Sequence, residues 1–362
     1  MTIIDVLGLA LIQQLPPETA HRATIAAMKF GLAGKAKPLS KKQSERLKVH
    51  LPISGLDLPN PLGIAAGFDK NADAFVPSLA LGCGFVECGT VTPQLQDGNP
   101  KPRLFRLKED GGVINRMGFN NSGLDSFVHR LKNGAANQGV VGANVGANKT
   151  SEGEKRVGDY VDGIKAVWQY CAYITLNISS PNTPGLRGLQ NKSDLSALLT
   201  AASETILEME DRHKTKRPVF LKIAPDIDEE AIRDIVDTVL LAKGMTGLIV
   251  SNTTIERPSF LQSENAKQTG GLSGKPLFEK STQVLKQVAR IADGQLDIIG
   301  AGGIHDAKSA YLKIRAGAHC FQLYSALVYE GAALIPEILN GLDQLLEADG
   351  FSQLSEAVGA DL

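Results

Sequence analysis

Beyond residue 60, eight short apolar runs alternate with helix-like stretches, and a glycine, a polar residue or a lysine occupies or follows the end of each run. The runs are LGIAA (62–66), FVEC (85–88), VVGAN (140–144), YITLNI (173–178), VFLKI (219–223), LIV (248–250), DIIG (297–300) and CFQL (320–323). Amphipathic segments at 195–210, 229–243, 282–291 and 307–316 lie between several of them. Strand and helix in alternation imply parallel strands, and eight such units close into a (β/α)8 TIM barrel of the α/β class. At 362 residues the chain exceeds a usual single core, but a barrel of roughly 250 residues with extensions accounts for it. The run ends carry Gly67 and Lys70, Gly89 and Thr90, Asn144, Asn177 to Asn182, Lys222, Ser251 and Asn252, Gly302 and Gly303, Tyr324 and Ser325. In a barrel those ends converge on the catalytic face, whereas polar residues scattered for solubility would not converge at all.

The residue types narrow the chemistry. IIGAGGI at 298–304, followed by Tyr324 and Ser325, fits a phosphate site, because a backbone without side chains lets N–H groups approach the oxygens. A dinucleotide G-x-G-x-x-G pattern is absent, and GLAGK at 31–35 lacks P-loop spacing. Lys222 ends an apolar strand, so its ammonium points into the barrel mouth, to form a Schiff base, to hold an anionic ring or to serve a structural ion pair. Asn115, Asn144, Asn177, Asn182 and Asn252 offer donors and acceptors without charge, which suits a flat, amide-rich ligand, and Lys70 suits a carboxylate.

The first fifty residues differ from the rest. They hold eight basic residues against three acidic ones, a charge of +5, which leaves −6 for the remainder and −1 for the whole. That balance gives no global field for nucleic acid. The apolar start, 3–15, has no uninterrupted stretch near the roughly 20 residues of a membrane span, and no Lys or Arg precedes Arg22 as a secretory signal requires. Two short helices joined at Pro16 and Pro17 are expected, either lying in a lipid headgroup region or packed on the barrel. Cys83, Cys88, Cys171 and Cys320 form no C-x-x-C pair and read as buried thiols, and the six histidines show no zinc spacing, so no metal is expected.

Several long motifs occur in one order: NPLGIAAGFDKN from Asn60, GTVTPQ from Gly89, NPKPRLFRL from Asn99, NRMGFNN from Asn115, NISSPNTPGLR from Asn177, KIAPD from Lys222, SNTT from Ser251 and GGLSGKPL from Gly270. With them the chain closely resembles the quinone-dependent class 2 of the dihydroorotate dehydrogenases, from the N-terminal helices to about residue 345. The resemblance implies an FMN enzyme that oxidises dihydroorotate to orotate in pyrimidine biosynthesis. It implies that Ala66, Gly67, Thr90, Asn144, Asn177, Lys222, Ser251, Gly274, Gly303, Tyr324 and Ser325 bind FMN. Lys70, Asn115, Arg116, Met117, Gly118, Phe119, Asn177, Asn182, Asn252 and Thr253 would surround the substrate, with Ser180 as catalytic base. Ser180 in place of the soluble class's cysteine, together with PETAHR at 17–22, implies a membrane quinone, ubiquinone or menaquinone, as acceptor. His21, Arg106 and Tyr324 would line its tunnel. Ser251 departs from a threonine common in the family but keeps the hydroxyl. Residues 1–45 are then a helical extension on an anionic lipid surface and 46–362 the barrel, at the cytoplasmic face of a bacterial inner membrane, with no obligate protein partner. A colourless Schiff-base aldolase, a non-catalytic membrane module and a soluble fumarate- or nicotinamide-linked dehydrogenase are the rivals.

Overall fold

The computed structural model describes residues 3–134 and 139–362. Helices α1 (Ile3–Gln14) and α2 (Pro17–Lys29) come first, and α3 (Lys41–Leu47) leads to a hairpin of β1 (Val49–Leu51) and β2 (Leu56–Leu58). The alternating body follows as β3 (Leu62–Asp69), α4 (Phe75–Ala80), β4 (Phe85–Val91), β5 (Leu104–Leu107), β6 (Gly112–Asn115), α5 (Leu124–Gly134), β7 (Val140–Val145), α6 (Gly153–Val167) and β8 (Tyr173–Asn177). It continues through α7 (Lys192–His213), β9 (Val219–Ile223), α8 (Glu229–Leu241), β10 (Met245–Val250), β11 (Gly271–Gly274), α9 (Phe278–Ala292), β12 (Asp297–Ala301), α10 (Ala307–Arg315) and β13 (Cys320–Leu323). The chain ends with α11 (Ser325–Glu330), α12 (Leu334–Ala348) and α13 (Leu354–Ala357).

All eight apolar runs became barrel strands: β3, β4, β7, β8, β9, β10, β12 and β13 pair in chain order, and β13 closes on β3 through Phe321↔Leu62. The connecting helices form for local reasons. In α8, Asp228 caps the first turn by accepting the Ala231 N–H at 2.9 Å, and Ile232, Ile235, Val236 and Val239 bury one stripe at helical spacing. Replacing such a cap by alanine costs about 1 kcal/mol.

The barrel interior is layered. At the floor, the rings of Phe85, Tyr173 and Phe220 meet edge to face at centroid separations of 6.3 and 5.6 Å. Space for them comes from glycines paired with them on the neighbouring strands: a Cβ on Gly63 would lie 2.4 Å from the Phe85 ring, one on Gly142 2.1 Å from that of Tyr173, and one on Gly247 2.8 Å from that of Phe220. The β1–β2 hairpin covers the same end, with the Ile53 and Ser54 N–H groups donating to the Asp297 carboxylate at 3.2 and 2.7 Å.

Two additions flank the opposite end. Strands β5, β6 and β11 form a small antiparallel sheet with its own buried cluster of Leu107, Ile114 and Leu272. The sequence pattern did not signal it, because each strand spans four residues and alternates too briefly to register. The N-terminal pair α1–α2 is tethered at discrete points: Glu18 accepts from Arg103 at 2.8 and 3.1 Å, Gln13 donates to the Tyr329 carbonyl at 2.8 Å, and Arg106 donates to the Gln13 and Leu15 carbonyls at 3.0 and 2.9 Å. Leu11, Phe30 and Leu32 stay 71%, 82% and 77% exposed. No described helix is long and apolar enough to cross a membrane.

Candidate active site

The C-terminal ends of the barrel strands open into one cavity of about 1160 Å³, which extends outward between the mouth and the N-terminal helices. That exceeds the roughly 300–1,000 Å³ of a single small-molecule pocket, so it has room for more than one ligand. Strand β3 and its following turn contribute Ala66, Gly67 and Lys70, and β4 contributes Thr90. Strand β6 and the loop after it bring Asn115, Met117, Gly118 and Phe119. Asn177, Ser180 and Asn182 come from the end of β8, Lys222 from β9, and Ser251, Asn252 and Thr253 from β10. Gly274 closes β11, Gly303 follows β12, and Tyr324 and Ser325 follow β13.

Two predicted residues stand elsewhere. The Arg116 guanidinium turns outward, 4.5 Å over the Phe105 ring and 3.0 Å from Gln268 Oε1. Asn144 is fully buried behind Thr90 and does not reach the cavity wall.

Three of the five asparagines form one hydrogen-bonded row, while Asn182 Nδ2 donates separately to the Asn115 carbonyl at 3.2 Å. Asn252 Nδ2 donates to Ser179 Oγ at 2.8 Å, and Ser179 Oγ donates to Asn177 Oδ1 at 2.7 Å. Asn177 Nδ2 donates to Thr90 Oγ1 at 2.8 Å, and Thr90 Oγ1 donates to Asn144 Oδ1 at 2.5 Å. Arg187, within the NISSPNTPGLR motif but not singled out from it, clasps this region: Nε donates to the Ser179 carbonyl at 3.0 Å, Nη2 to the Thr253 carbonyl at 2.8 Å, and Nη1 to Asp226 at 2.7 Å. The turn carrying Ser180 is thereby locked to the turn carrying Asn252. Ser180 is buried, and its Oγ accepts the Asn182 N–H at 3.2 Å. Thr183 Oγ1, three residues on, is buried without a partner among the described residues.

Residues 47–346 match the family model described as dihydroorotate dehydrogenase. The chain belongs to the dihydroorotate dehydrogenase family. A protein named dihydroorotate dehydrogenase (quinone) from Parvibaculum lavamentivorans is 47% identical over 352 residues, covering 97% of each chain. Another of that name from Rhizobium etli is 50% identical over 340 residues, covering 94% of this chain and 91% of its own. Among solved structures, the dihydroorotate dehydrogenase of Eimeria tenella in complex with ferulenol has a TM-score of 0.90 at 38% identity and covers 95% of each chain.

The flavin that membership in a dihydroorotate dehydrogenase family implies fits the residues present. At one end, Gly302 and Gly303 take φ of +102° and +80°, and a Cβ on Gly303 would sit 2.3 Å from Phe278 Cα, so only glycine leaves that backbone bare for phosphate oxygens. Lys313, fully buried on α10, stands behind this loop; its Nζ donates to Ser281 Oγ at 2.7 Å, which donates to the Gly302 carbonyl at 2.9 Å. At the other end, Gln322 Oε1 and Thr253 Oγ1 are buried polar atoms without a protein partner among the described residues. Such orphans in a native site mark places a ligand satisfies. Gln322 escaped the sequence reading because CFQL looks like an ordinary apolar strand.

Burial tunes the charged groups. Desolvation pulls the Lys70 ammonium down to about 8, with Arg103 adding to the effect and Glu18 opposing it, while its Nζ donates to the Gly67 carbonyl at 2.9 Å. Desolvation likewise lowers Lys222, and the carboxylate of Glu87 opposes the shift. On the outer side of the cavity, the rings of His21, Phe68 and Tyr324 stand 5.7 to 6.2 Å apart, and Arg106 lines the same space. Desolvation, reinforced by Lys70, lowers His21 to about 3, so it is a neutral ring near pH 7.

Proposed function

We propose that this chain oxidises (S)-dihydroorotate to orotate on the route to UMP, using one FMN and delivering the electrons to ubiquinone or menaquinone. The observation that carries the reading is the convergence of Ser180, Lys222 and Gly303 on one cavity that continues to His21 and Tyr324. Gly303, Gly274, Tyr324 and Ser325 would hold the phosphate end. Ala66, Gly67, Thr90, Asn177, Lys222 and Ser251 would hold the ring and its chain, with Asn144 acting through Thr90. Bound FMN supplies a two-electron acceptor for the hydride leaving substrate C6.

The chain's own residues do the rest. Lys70 would pair with the substrate carboxylate, and Asn115, Asn182, Asn252 and Thr253 would hold its ring edges, with Met117, Gly118, Phe119 and the Arg116 backbone closing the same side. Ser180 Oγ would take the C5 proton, and the Asn182 N–H donated to that oxygen favours its anionic form. Lys222, lining the cavity, would hold the ring and supply positive charge as negative charge grows there on reduction.

Residues 1–45 would form the quinone entrance and rest on lipid at the cytoplasmic face of the inner membrane. The exposed Leu11, Phe30 and Leu32 lie on the same segment as exposed Arg22, Lys35 and Lys37. Each cation contributes about 1 kcal/mol at an anionic surface. An anaerobic spectral titration tests the whole reading: the purified protein should be yellow, bleach with dihydroorotate and regain colour with a short-chain quinone. A colourless protein, or recovery with fumarate or NAD in place of the quinone, refutes it.

A further inference from the structure

Glu87 is a carboxylate with no exposure, placed midway along β4 inside the barrel between the aromatic floor and the mouth. Four donors converge on it. Asn144 Nδ2 reaches Oε1 at 2.7 Å, while Oε2 accepts from the Tyr173 hydroxyl at 3.0 Å, Thr175 Oγ1 at 3.1 Å and Gln322 Nε2 at 2.8 Å. We propose that Glu87 is a positioning residue that fixes which end of each amide faces the ligands across the mouth. The inference rests on the flavin reading above.

The argument is one of donor and acceptor inventory. An ionised carboxylate only accepts, so both amides that touch it must turn their NH2 groups toward it. An amide's two ends are nearly the same shape, and only the network around it selects between them. With its NH2 committed, Asn144 presents Oδ1 to Thr90, so Thr90 donates there and accepts from Asn177 Nδ2. Asn177 Oδ1 is then left to accept from Ser179, which accepts from Asn252. Every donor in the row from Asn252 to Asn144 points toward Glu87. On the other branch Gln322 gives its NH2 to Glu87, and its buried Oε1 is left as an unmet acceptor in a residue that lines the cavity.

A glutamine at this position cannot do the same. It accepts through one atom and donates through the other, so either Asn144 or Gln322 must turn over, reversing a ligand-facing pattern without changing shape. The double exchange E87Q with Q322E restores the order: the new amide on β4 would accept from Asn144 and donate to the new carboxylate on β13, which is an acceptor toward the ligand as before. Thr175→Val removes one donor to Glu87 and disturbs no amide.

FMN dissociation constants, read from the fluorescence recovered on release, and thermal midpoints are measured for the holoenzyme and its variants. E87Q should stay folded and weaken FMN binding at least about fivefold, because a buried partner is left unmet. The double exchange should return the constant to within about a factor of two of the parent. Thr175→Val should lower the midpoint and leave FMN affinity unchanged. Unchanged FMN affinity in a folded E87Q, or a double exchange that folds no better and binds no more tightly than E87Q, overturns the proposal. If E87Q alone does not fold, the double exchange decides: near-parental affinity sustains the proposal and anything weaker defeats it. Failure of the flavin reading shows separately, as a parent protein without bound flavin.

Discussion

At the barrel mouth, polar side chains are buried and meet one another's hydrogen-bonding needs, as in the row from Asn252 to Asn144. On the N-terminal pair the situation is inverted: Leu11, Phe30 and Leu32 face outward, and a handful of polar tethers hold the helices to the barrel. Paired groups of this kind hold one another rigid, and the orphans among them, Gln322 Oε1 and Thr253 Oγ1, are left for a polar ligand to meet. A region with exposed apolar groups is finished only by something apolar brought to it. The division of labour proposed above, chemistry on one side and acceptor delivery on the other, follows from that contrast.

The contrast can be broken most sharply at Ser180. Ser180→Ala should keep FMN bound and slow anaerobic flavin reduction by dihydroorotate about 10²- to 10⁴-fold, the usual worth of a positioned base; stopped-flow traces that match the parent would remove Ser180 from that role. Next is Gly303→Ala, whose Cβ would meet Phe278 Cα at 2.3 Å in a backbone with φ of +80°. Strain of about 1–3 kcal/mol should lower both the thermal midpoint and flavin content, and a fully loaded, equally stable variant would show that the loop is not the cradle described.

Removing residues 1–40 tests the autonomy of the two regions. Flavin reduction should survive, while quinone turnover and sedimentation with anionic vesicles each fall about tenfold or more, as expected when several exposed apolar groups and cations are lost together. Intact quinone turnover in the truncated protein would contradict the assignment of the helices.

A smaller effect concerns pH. The Lys70 ammonium, depressed to about 8 by burial, is charged below that pH and loses its proton above it. Affinity for the anionic substrate should therefore be flat below pH 7 and decline by up to about tenfold per unit above pH 8. His21, neutral above about 3, should add no step between pH 5 and 8 to quinone turnover, and a histidine-like inflection removed by His21→Gln would show that the tunnel wall carries charge after all. The smallest effect expected is from Phe30→Ser, which should weaken vesicle binding several-fold and leave flavin reduction untouched.

Much of this architecture was legible from residue pattern. Period and length delivered every barrel strand, because parallel strands buried on both faces read as short apolar runs between amphipathic helices. Residues at run ends could be assigned to one rim for the same reason. What stayed hidden depended on side-chain direction across strands. Asn144 and Lys222 look alike as polar residues at strand ends, yet one stands behind the wall and the other in it. Arg116 belongs to a motif of rim residues, and its guanidinium nevertheless turns to Phe105. Glu87 passed unnoticed within FVEC, although an acid in an apolar strand carries the signal that made Lys222 conspicuous. Its significance lies in four partners from β7, β8 and β13, and no local pattern encodes such long-range meetings.

The ring stopper of Phe85, Tyr173 and Phe220 governs traffic. With the cylinder corked at its lower end by these rings, the proposed fuel, its spent product and the electron carrier would all be exchanged at the same rim. On the proposed reading the helical side of that rim would open onto the bilayer, so the carrier would arrive from the membrane while the water-soluble reactants exchange elsewhere along the rim.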